Sequence, residues 1–387
     1  MIRAEAVNME RVVLYPFNKI TQGLLRFRDL LSVDIVSVID FVQEDGQDAG
    51  EQVDGKHSGI LIHSSMEAGL KDADTLILND PGTTFGGNKG VFAEHDLAEL
   101  WRKLVLYASG RGLRVVSVHE IYDRDTLNWM AEQQLKIDVV HSPQEQLFQE
   151  MDERYSTGGT DIECYLGQFE KEALMFARPR TIKRVGIFAT RGCIGKFTVQ
   201  MNLYRQFGAL GIPATAFITE PTGFLFGQPE GDIFKFLAHR PLEQYPYYID
   251  TVIHQAQQSG SDWIVMAGQS SILPTMNIAF NSLRYAMLRT FDPEYVLLIA
   301  GYDDDSAILD AIEILRIYSR RPIALLLPDK LETSYGHYEI YPLEQRLARK
   351  LELEQKFHIH VLFTEQAEAA VNLILEEANA ILAASGK

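Results

Sequence analysis

A glycine-containing segment in the middle of the chain has the residue types and the spacing of a phosphate-binding loop. The apolar run Val185–Ala189 leads into TRGCIGKFT, and a stretch with helical period follows. Glycines let successive backbone N–H groups turn inward, and the start of a helix adds positive potential for an anion. We therefore expect a phosphate-bearing ligand, most simply a nucleotide, at Thr190, Arg191, Gly192, Cys193, Ile194, Gly195, Lys196, Phe197 and Thr198.

The match to the pattern G-x-x-x-x-G-K-[ST] is imperfect. Thr190 stands where the first glycine belongs, and Phe197 stands where the hydroxyl belongs. In this pattern the lysine reaches the terminal phosphates and the hydroxyl holds Mg²⁺. Lys196 is therefore the expected catalytic cation, and Thr198, one place late, is the expected metal ligand. The alternative interpretation is an ordinary strand-to-helix turn that happens to carry a lysine.

Polar residues follow two other predicted strands of the same half. Glu220 comes directly after Ala214–Thr219, and Gln269 and Ser270 come after Trp263–Ala267. Open α/β sheets bind ligands at the carboxyl ends of their strands. We therefore expect Glu220 to ligate Mg²⁺ or orient water as a catalytic residue, and Gln269 and Ser270 to bind the ligand. A solvated loop acid and a serine helix cap are the alternatives.

Three further places in the sequence each allow a functional and a purely structural interpretation. One residue of Asp303–Asp305 could contact a base or an amine, or the acids could cap the next helix. The Asn79–Gly90 loop, rich in glycine and small polar residues, could cradle an anion, move as a lid, or only connect two elements. For His119 a structural role is favoured over acid–base chemistry. The histidines and cysteines do not have the spacing of a structural zinc site.

Short apolar runs alternate with helical periods along the whole chain, which is typical of parallel α/β sheets. The predicted class is α/β, with a Rossmann-like open sheet in residues 1–180, linker included, and a P-loop NTPase-like parallel sheet in 181–387. Strands of the second half are apolar without alternation, which suits a sheet covered on both faces. The predicted strands are 12–15, 34–39, 59–62, 75–78, 114–118, 138–140, 184–189, 214–219, 263–267, 295–300, 323–327 and 358–363.

Length and composition narrow the class of protein. A chain of 387 residues fits two domains. The formal net charge of -17 disfavours binding to nucleic acid or to anionic membrane. Two cysteines, no secretory leader and no bilayer-spanning apolar run predict a cytoplasmic protein. The predicted helix Glu365–Ala384 could pack against a second copy, or it could simply cover the sheet.

The loop and two later segments resemble a known family. Thr190, Cys193, Gly195, Lys196 and Thr198 look like the loop of the P-loop family that includes D-glutamate N-acetyltransferase-type proteins, a former domain of unknown function. The segments TEPTG (219–223) and DWIVMAGQSS (262–271) are similar to family segments at the same places. The resemblance implies a Rossmann-like domain joined to a P-loop domain. It also implies an acidic residue at the position where this chain has Ala267. The resemblance is therefore better evidence for the fold of this chain than for its reaction.

The first half resembles a narrower group. The segment LYPFNK (14–19), followed by LRFRDLL (25–31), looks like the opening of proteins from maturation systems of ribosomal peptide natural products. This resemblance implies a peptide or amino-acid-like substrate and a partner maturation enzyme.

Three functions follow as expectations. The first is an ATP- or GTP-dependent protein with Mg²⁺ that acts on such a substrate in the cleft between the domains. The second is an N-acyltransferase whose loop holds the phosphates of acetyl-CoA. The third is a non-catalytic module that binds a peptide or a partner and keeps a vestigial loop.

Overall fold

The computed structural model describes residues 11–43, 45–79, 97–119, 121, 124–139, 144–155, 179–274, 278–334 and 337–384. Within them the chain forms two six-stranded sheets in which every pairing is parallel, and one antiparallel hairpin. The predicted α/β class with two parallel sheets is confirmed.

The first sheet has the strand order β3-β2-β1-β4-β5-β6, the order of a dinucleotide-binding Rossmann sheet. The sequence left this order unresolved. Its strands are β1 (Arg11–Tyr15), β2 (Asp34–Ile39), β3 (Leu61–His63), β4 (Thr75–Leu78), β5 (Arg114–Ser117) and β6 (Asp138–Val139). Its helices are α1 (Lys19–Arg26), α2 (Ala49–Asp54), α3 (Met66–Gly69), α4 (Leu97–Gly110) and α5 (Arg124–Glu132), with a 3-10 turn at Arg28–Leu30.

Helix α4 supplies much of the core that covers this sheet. Trp101, Leu104, Val105 and Ala108 recur at intervals of three and four residues, so they share one face of the helix. All four are buried among apolar residues of β1, β4 and β5.

The second sheet has the order β14-β11-β10-β7-β9-β8. Its strands are β7 (Lys183–Ala189), β8 (Ala214–Phe217), β9 (Trp263–Ala267), β10 (Tyr295–Ile299), β11 (Pro322–Leu327) and β14 (His360–Phe363). The helices of this half are α6 (Gln144–Tyr155), α7 (Lys196–Ala209), α8 (Ile233–His239), α9 (Tyr245–Gln258), α10 (Ile278–Ala286, extended by a π-helical turn at Met287–Phe291), α11 (Asp305–Ile317), α12 (Leu343–Phe357) and α13 (Ala367–Ala384). A hairpin of β12 (Lys330–Ser334) and β13 (His337–Ile340), which the sequence did not predict, follows β11.

Both faces of the second sheet are covered, as the apolar strands predicted. Val185 and Ile187 of β7 point to the face packed by α7 and α13, while Phe188 points to the face packed by α9. Alternation within one strand therefore places buried side chains in two separate cores, which is why the part of β7 after Arg184 contains no polar residue.

The chain divides into two compact units. The first unit comprises residues 2–142 with 221–227, and the second comprises 143–220 with 228–387. Helix α6 lies before the boundary predicted near residue 180, yet Phe148 packs on Phe236 and Tyr248 in the second unit. Residues 221–227 group with the first unit, where the amide of Ser32 donates to the carbonyl of Leu225 at 2.8 Å.

No helix of the described ranges is long and apolar enough to cross a bilayer.

Candidate functional site

The predicted phosphate loop lies where the second sheet reverses its strand order. After β7 the chain crosses to β8 and returns to β9 on one side, and it then forms β10 on the other side. Loops at such a switch point leave a crevice at the carboxyl ends of the strands. The loop 190–195 follows β7 directly, so it lies at this crevice.

The backbone of the loop has left-handed residues at Cys193 and Gly195. Gly195 has φ +99° and precedes the first residue of α7, and Cys193 is left-handed with φ +57°. Ile194 is buried and holds the loop on the core. Among the described residues, none accepts a hydrogen bond from the backbone N–H of Gly192, Ile194 or Gly195. Unpaired N–H groups at the start of a helix attract negative charge.

Thr190 acts as an anchor for the loop. Its N–H donates to the carbonyl of Ile299 at 3.0 Å, and its hydroxyl donates to Asp304 at 2.5 Å. Its carbonyl accepts from the hydroxyl of Ser271 at 2.7 Å. Because all three polar groups are engaged by neighbouring strand ends, Thr190 fixes the start of the loop. From the sequence we expected Thr190 to contact the ligand, and that role stays a prediction.

Lys196 and Thr198 occupy the first turn of α7. The Lys196 ammonium donates to the carbonyl of Arg191 at 3.5 Å, so its side chain folds back over the loop. Lys196, Phe197 and Thr198 are each half-buried. Their expected roles toward phosphate and Mg²⁺ stay predictions.

The segment after β9 lies beside the loop. Gly268 and Ile272 donate backbone hydrogen bonds to Ile187 and Ala189 of β7. Ser270, between them, is left-handed with φ +61°, and the buried Oε1 of Gln269 has no hydrogen-bond partner among the described residues. Unusual backbone conformations of this kind concentrate at ligand sites. The structure therefore brings Gln269 and Ser270 to the loop.

Glu220 lies farther along the same edge. It is exposed and follows Thr219, whose hydroxyl donates to the carbonyl of Ala267 at 3.0 Å. Strand β9 lies between β8 and β7, so Glu220 is two strands away from the strand that carries the loop.

The structure distinguishes the three acids after β10. Asp304 is buried and accepts from Gly301 N–H at 2.8 Å, from the Thr190 hydroxyl and from the Arg191 guanidinium. It holds the N-cap position of α11, yet its side chain makes no capping hydrogen bond. Asp305 pairs instead with Lys356 and Arg349, and the hydrogen bond from Lys356 holds its pKa below the usual value. Asp303 is exposed.

A buried charged group near β8 was missed by the sequence analysis. Glu230 is fully buried beside Ile218, and its carboxylate pairs with the buried Lys235 ammonium at 2.7 Å. Desolvation raises the pKa of Glu230 to about 7, although Lys235 opposes this shift. One oxygen, Oε2, has no partner among the described residues. Nothing in the local sequence QPEGD marks this acid, because loop acids of this kind are ordinarily solvated.

Among the described residues, the corresponding loop of the first unit has fewer backbone N–H groups available to an anion than the loop of the second unit. At the switch point of its sheet, α1 begins after Asn18, whose side chain accepts from Ile20 N–H and Thr21 N–H at 3.0 Å each. These are donors that a phosphate would need. Of the predicted Asn79–Gly90 loop only Asn79 lies within the described residues, and its amide donates to the Thr21 hydroxyl at 2.7 Å.

Asp48, Glu51 and His57 lie close enough together to hold a metal ion. However, the Asp48 carboxylate already accepts from the backbone N–H groups of Gly50, Glu51, Ser58 and Gly59. Hydrogen bonds to Ser58, Glu51 and Gly59 outweigh burial and hold the pKa of Asp48 well below its usual value. Helix capping and loop closure therefore explain this cluster.

Comparison with known proteins agrees with the geometry of the second unit. Residues 173–306 match the family model described as the P-loop domain of DUF1611, a domain of unknown function. The chain therefore contains a P-loop domain, as predicted. A search of curated proteins found no sequence match.

Solved structures also resemble the chain. The crystal structure of a DUF1611 family protein from Anabaena variabilis is 16% identical, with a TM-score of 0.61 over 95% of this chain and 99% of that chain. The two proteins thus share a fold. A LAO/AO transport system kinase is 9% identical, with a TM-score of 0.37 over 68% of this chain and 79% of its own. The signal recognition particle receptor FtsY from Elizabethkingia anophelis is 13% identical, with a TM-score of 0.32 over 56% and 71%.

Proposed function

We propose that this protein binds ATP or GTP with Mg²⁺ at residues 190–198 and acts on a peptide or amino-acid-like substrate. The observation that carries the nucleotide is the loop itself. No described residue accepts a hydrogen bond from the backbone N–H groups of Gly192, Ile194 and Gly195. These groups lie at the switch point of a parallel sheet and at the start of a 14-residue helix. The match of residues 173–306 to a P-loop domain supports the same ligand class.

In this proposal the loop N–H groups hold the β- and γ-phosphates, and Lys196 neutralises charge that develops during transfer. Thr198 contacts Mg²⁺, Glu220 orients the attacking group or a metal-bound water, and Gln269 and Ser270 bind phosphate or substrate from β9. The buried Oε1 of Gln269 has no hydrogen-bond partner among the described residues, and buried acceptors are ordinarily paired. Because an amide oxygen accepts, this atom supports a contact with an N–H or O–H donor of the substrate, whereas a contact with phosphate would use the amide N–H groups of Gln269.

The substrate class rests on the sequence resemblance of residues 14–19 and 25–31 to peptide maturation proteins. A cytoplasmic location, a partner maturation enzyme and a homo-oligomer belong to the same proposal. Likewise, kinship with D-glutamate N-acetyltransferase-type proteins is proposed from the loop and from the segments at 219–223 and 262–271.

One observation favours a different chemistry. Strand β9 ends at Ala267, and Gly268 and Gln269 follow it, so this strand end offers no carboxylate for a metal beside the loop. An acyltransferase that binds the phosphates of acetyl-CoA needs no such carboxylate. Isothermal titration calorimetry with ATP·Mg²⁺, GTP·Mg²⁺ and acetyl-CoA separates the two functions. Binding of acetyl-CoA alone would replace the nucleotide proposal, and binding of none of the three would leave the non-catalytic module.

Cys193 allows ligand binding to be measured at the loop itself. The thiol is exposed, so an alkylating reagent reaches it in the free protein. With ligand at about ten times its Kd, only about a tenth of the molecules are unoccupied, so we expect alkylation to slow about tenfold. The measurement is mass spectrometry of labelled protein with Cys164→Ser as background, which leaves one thiol. Nucleoside without phosphate is the control. Equal rates with and without a bound nucleotide would place that nucleotide elsewhere.

A further inference from the structure

The side chain of Arg191 occupies an unusual position for a residue of a phosphate loop. Its guanidinium lies against the carboxylate of Asp304, with Nε donating to Oδ2 at 3.0 Å and Nη2 donating to Oδ1. Two parallel N–H···O bonds of this kind fix the plane of a guanidinium as well as its position. Arg191 is therefore held at the β10 side of the loop in one orientation.

Asp304 and Arg191 differ in how many of their hydrogen-bonding groups have partners. The Asp304 carboxylate is buried and also accepts from Gly301 N–H at 2.8 Å and from the Thr190 hydroxyl at 2.5 Å. The Arg191 side chain is 48% exposed. No residue in the described part of the chain accepts a hydrogen bond from its Nη1. An arginine presents five N–H donors, so this one keeps donors for a group outside the protein.

Resting on the proposed function, we infer that the Arg191 side chain donates directly to the phosphate chain of the bound ligand and that Asp304 is its positioning residue. Arg191 precedes Gly192, whose N–H has no acceptor among the described residues. The Lys196 ammonium lies 3.5 Å from the Arg191 carbonyl. Two cations therefore flank the loop. A guanidinium matches phosphate oxygens in a way that a lysine cannot.

A substitution at Gly301 can disturb the contact between Arg191 and Asp304 without changing the sequence of the loop. A Cβ added at Gly301 would lie 2.8 Å from Asp304 Oδ2 and 3.0 Å from Arg191 Nη2. Since both atoms are ends of side chains, Gly301→Ala is expected to displace the pair without altering the strand. Asp304→Asn weakens the same contact through charge. Asp303→Asn, an exposed acid one residue away, is the matched control.

The test measures the affinities of ATP·Mg²⁺ and of tripolyphosphate, which has no base or ribose. Arg191→Ala is expected to weaken both by about tenfold or more, as removal of a hydrogen bond to a charged group does. Gly301→Ala is expected to weaken both in the same direction. The double variant Arg191→Ala/Gly301→Ala should lose no more than Arg191→Ala alone, since a positioning residue has nothing to position once the arginine is gone. Asp303→Asn should leave both affinities within about twofold.

Different failures have different meanings. If Arg191→Ala leaves tripolyphosphate affinity unchanged, or weakens only ATP, the phosphate contact is overturned. If the losses of Arg191→Ala and Gly301→Ala add, the positioning role of the pair is overturned. If the wild type binds neither probe and does not bind GTP·Mg²⁺ either, the proposed function itself is overturned, and this inference with it. Circular dichroism of each variant shows whether it folds. If Asp304→Asn does not fold, Gly301→Ala still tests the positioning role of Asp304.

Discussion

Replacing Lys196 by alanine is expected to weaken the binding of ATP·Mg²⁺ or GTP·Mg²⁺ by about 10- to 100-fold. The ammonium is the charged donor on the first turn of α7, and it lies over the loop at 3.5 Å from the Arg191 carbonyl. A hydrogen bond from a charged group to phosphate is worth about 1.5–3 kcal/mol, which corresponds to that range of affinity. Titration calorimetry measures the change.

Lys136→Ala is the control for the loss of one positive charge. Lys136 is exposed and lies in the first unit, where it pairs with Asp138 at 3.1 Å. Its removal should leave nucleotide affinity within about twofold. Lys196→Arg keeps the charge but not the shape, and it should recover only part of the loss. Full affinity in Lys196→Ala would mean that the loop does not bind the phosphates.

Lys235→Met is expected to destabilise the second unit by about 3–5 kcal/mol, because it leaves the Glu230 carboxylate buried without its cation. The Lys235 ammonium and the Glu230 carboxylate are 2.7 Å apart, and both side chains are almost wholly excluded from solvent. Urea unfolding, followed by the fluorescence of Trp263 with Trp101 and Trp129 replaced by Phe, reports on the second unit alone.

The double variant Glu230→Gln/Lys235→Met tests the cause of that loss. Without the carboxylate no charge of this pair remains buried, so we expect most of the stability to return. Arg316→Met, which breaks an exposed pair with Glu313 on α11, is the control and should change stability by less than about 1 kcal/mol. If the double variant is as unstable as Lys235→Met, lost packing rather than unpaired charge is the cause.

The same group predicts a pH dependence. Desolvation raises the pKa of Glu230 from 4.5 to about 7, so the folded state keeps its proton where the unfolded state has lost it. The folded state therefore binds more protons between about pH 4.5 and 7, and its stability falls as the pH rises through that window. Relative to Glu230→Gln, the wild type should lose stability over this range. A flat difference between the two unfolding free energies would contradict the raised pKa.

The sequence placed most of the scaffold of the candidate site correctly. The runs predicted as strands at 184–189 and 263–267 became β7 and β9, and the stretch with helical period after the loop became α7. These elements were predictable because apolar runs and helical periods are local properties of the chain. The hairpin at residues 330–340 was missed, since its residues alternate weakly and carry charges.

For the loop, too, some features could be predicted from the sequence and others could not. The sequence by itself determined a glycine turn, a lysine and a following helix at residues 190–198, because their spacing along the chain fixes the local backbone. It could not determine that the Thr190 hydroxyl donates to Asp304, because that partner is 114 residues away in the chain.

Only the tertiary structure decided which charged residues are buried and which strand ends meet. Asp304 and Asp305 are neighbours in the sequence, yet one is buried against the loop and the other pairs with α12. Glu230 looks like a solvated loop acid until Ile218 and Lys235 enclose it. Burial and charge pairing depend on residues far apart in the chain that the strand order brings together, whereas the turn and the helix at residues 190–198 depend on neighbours.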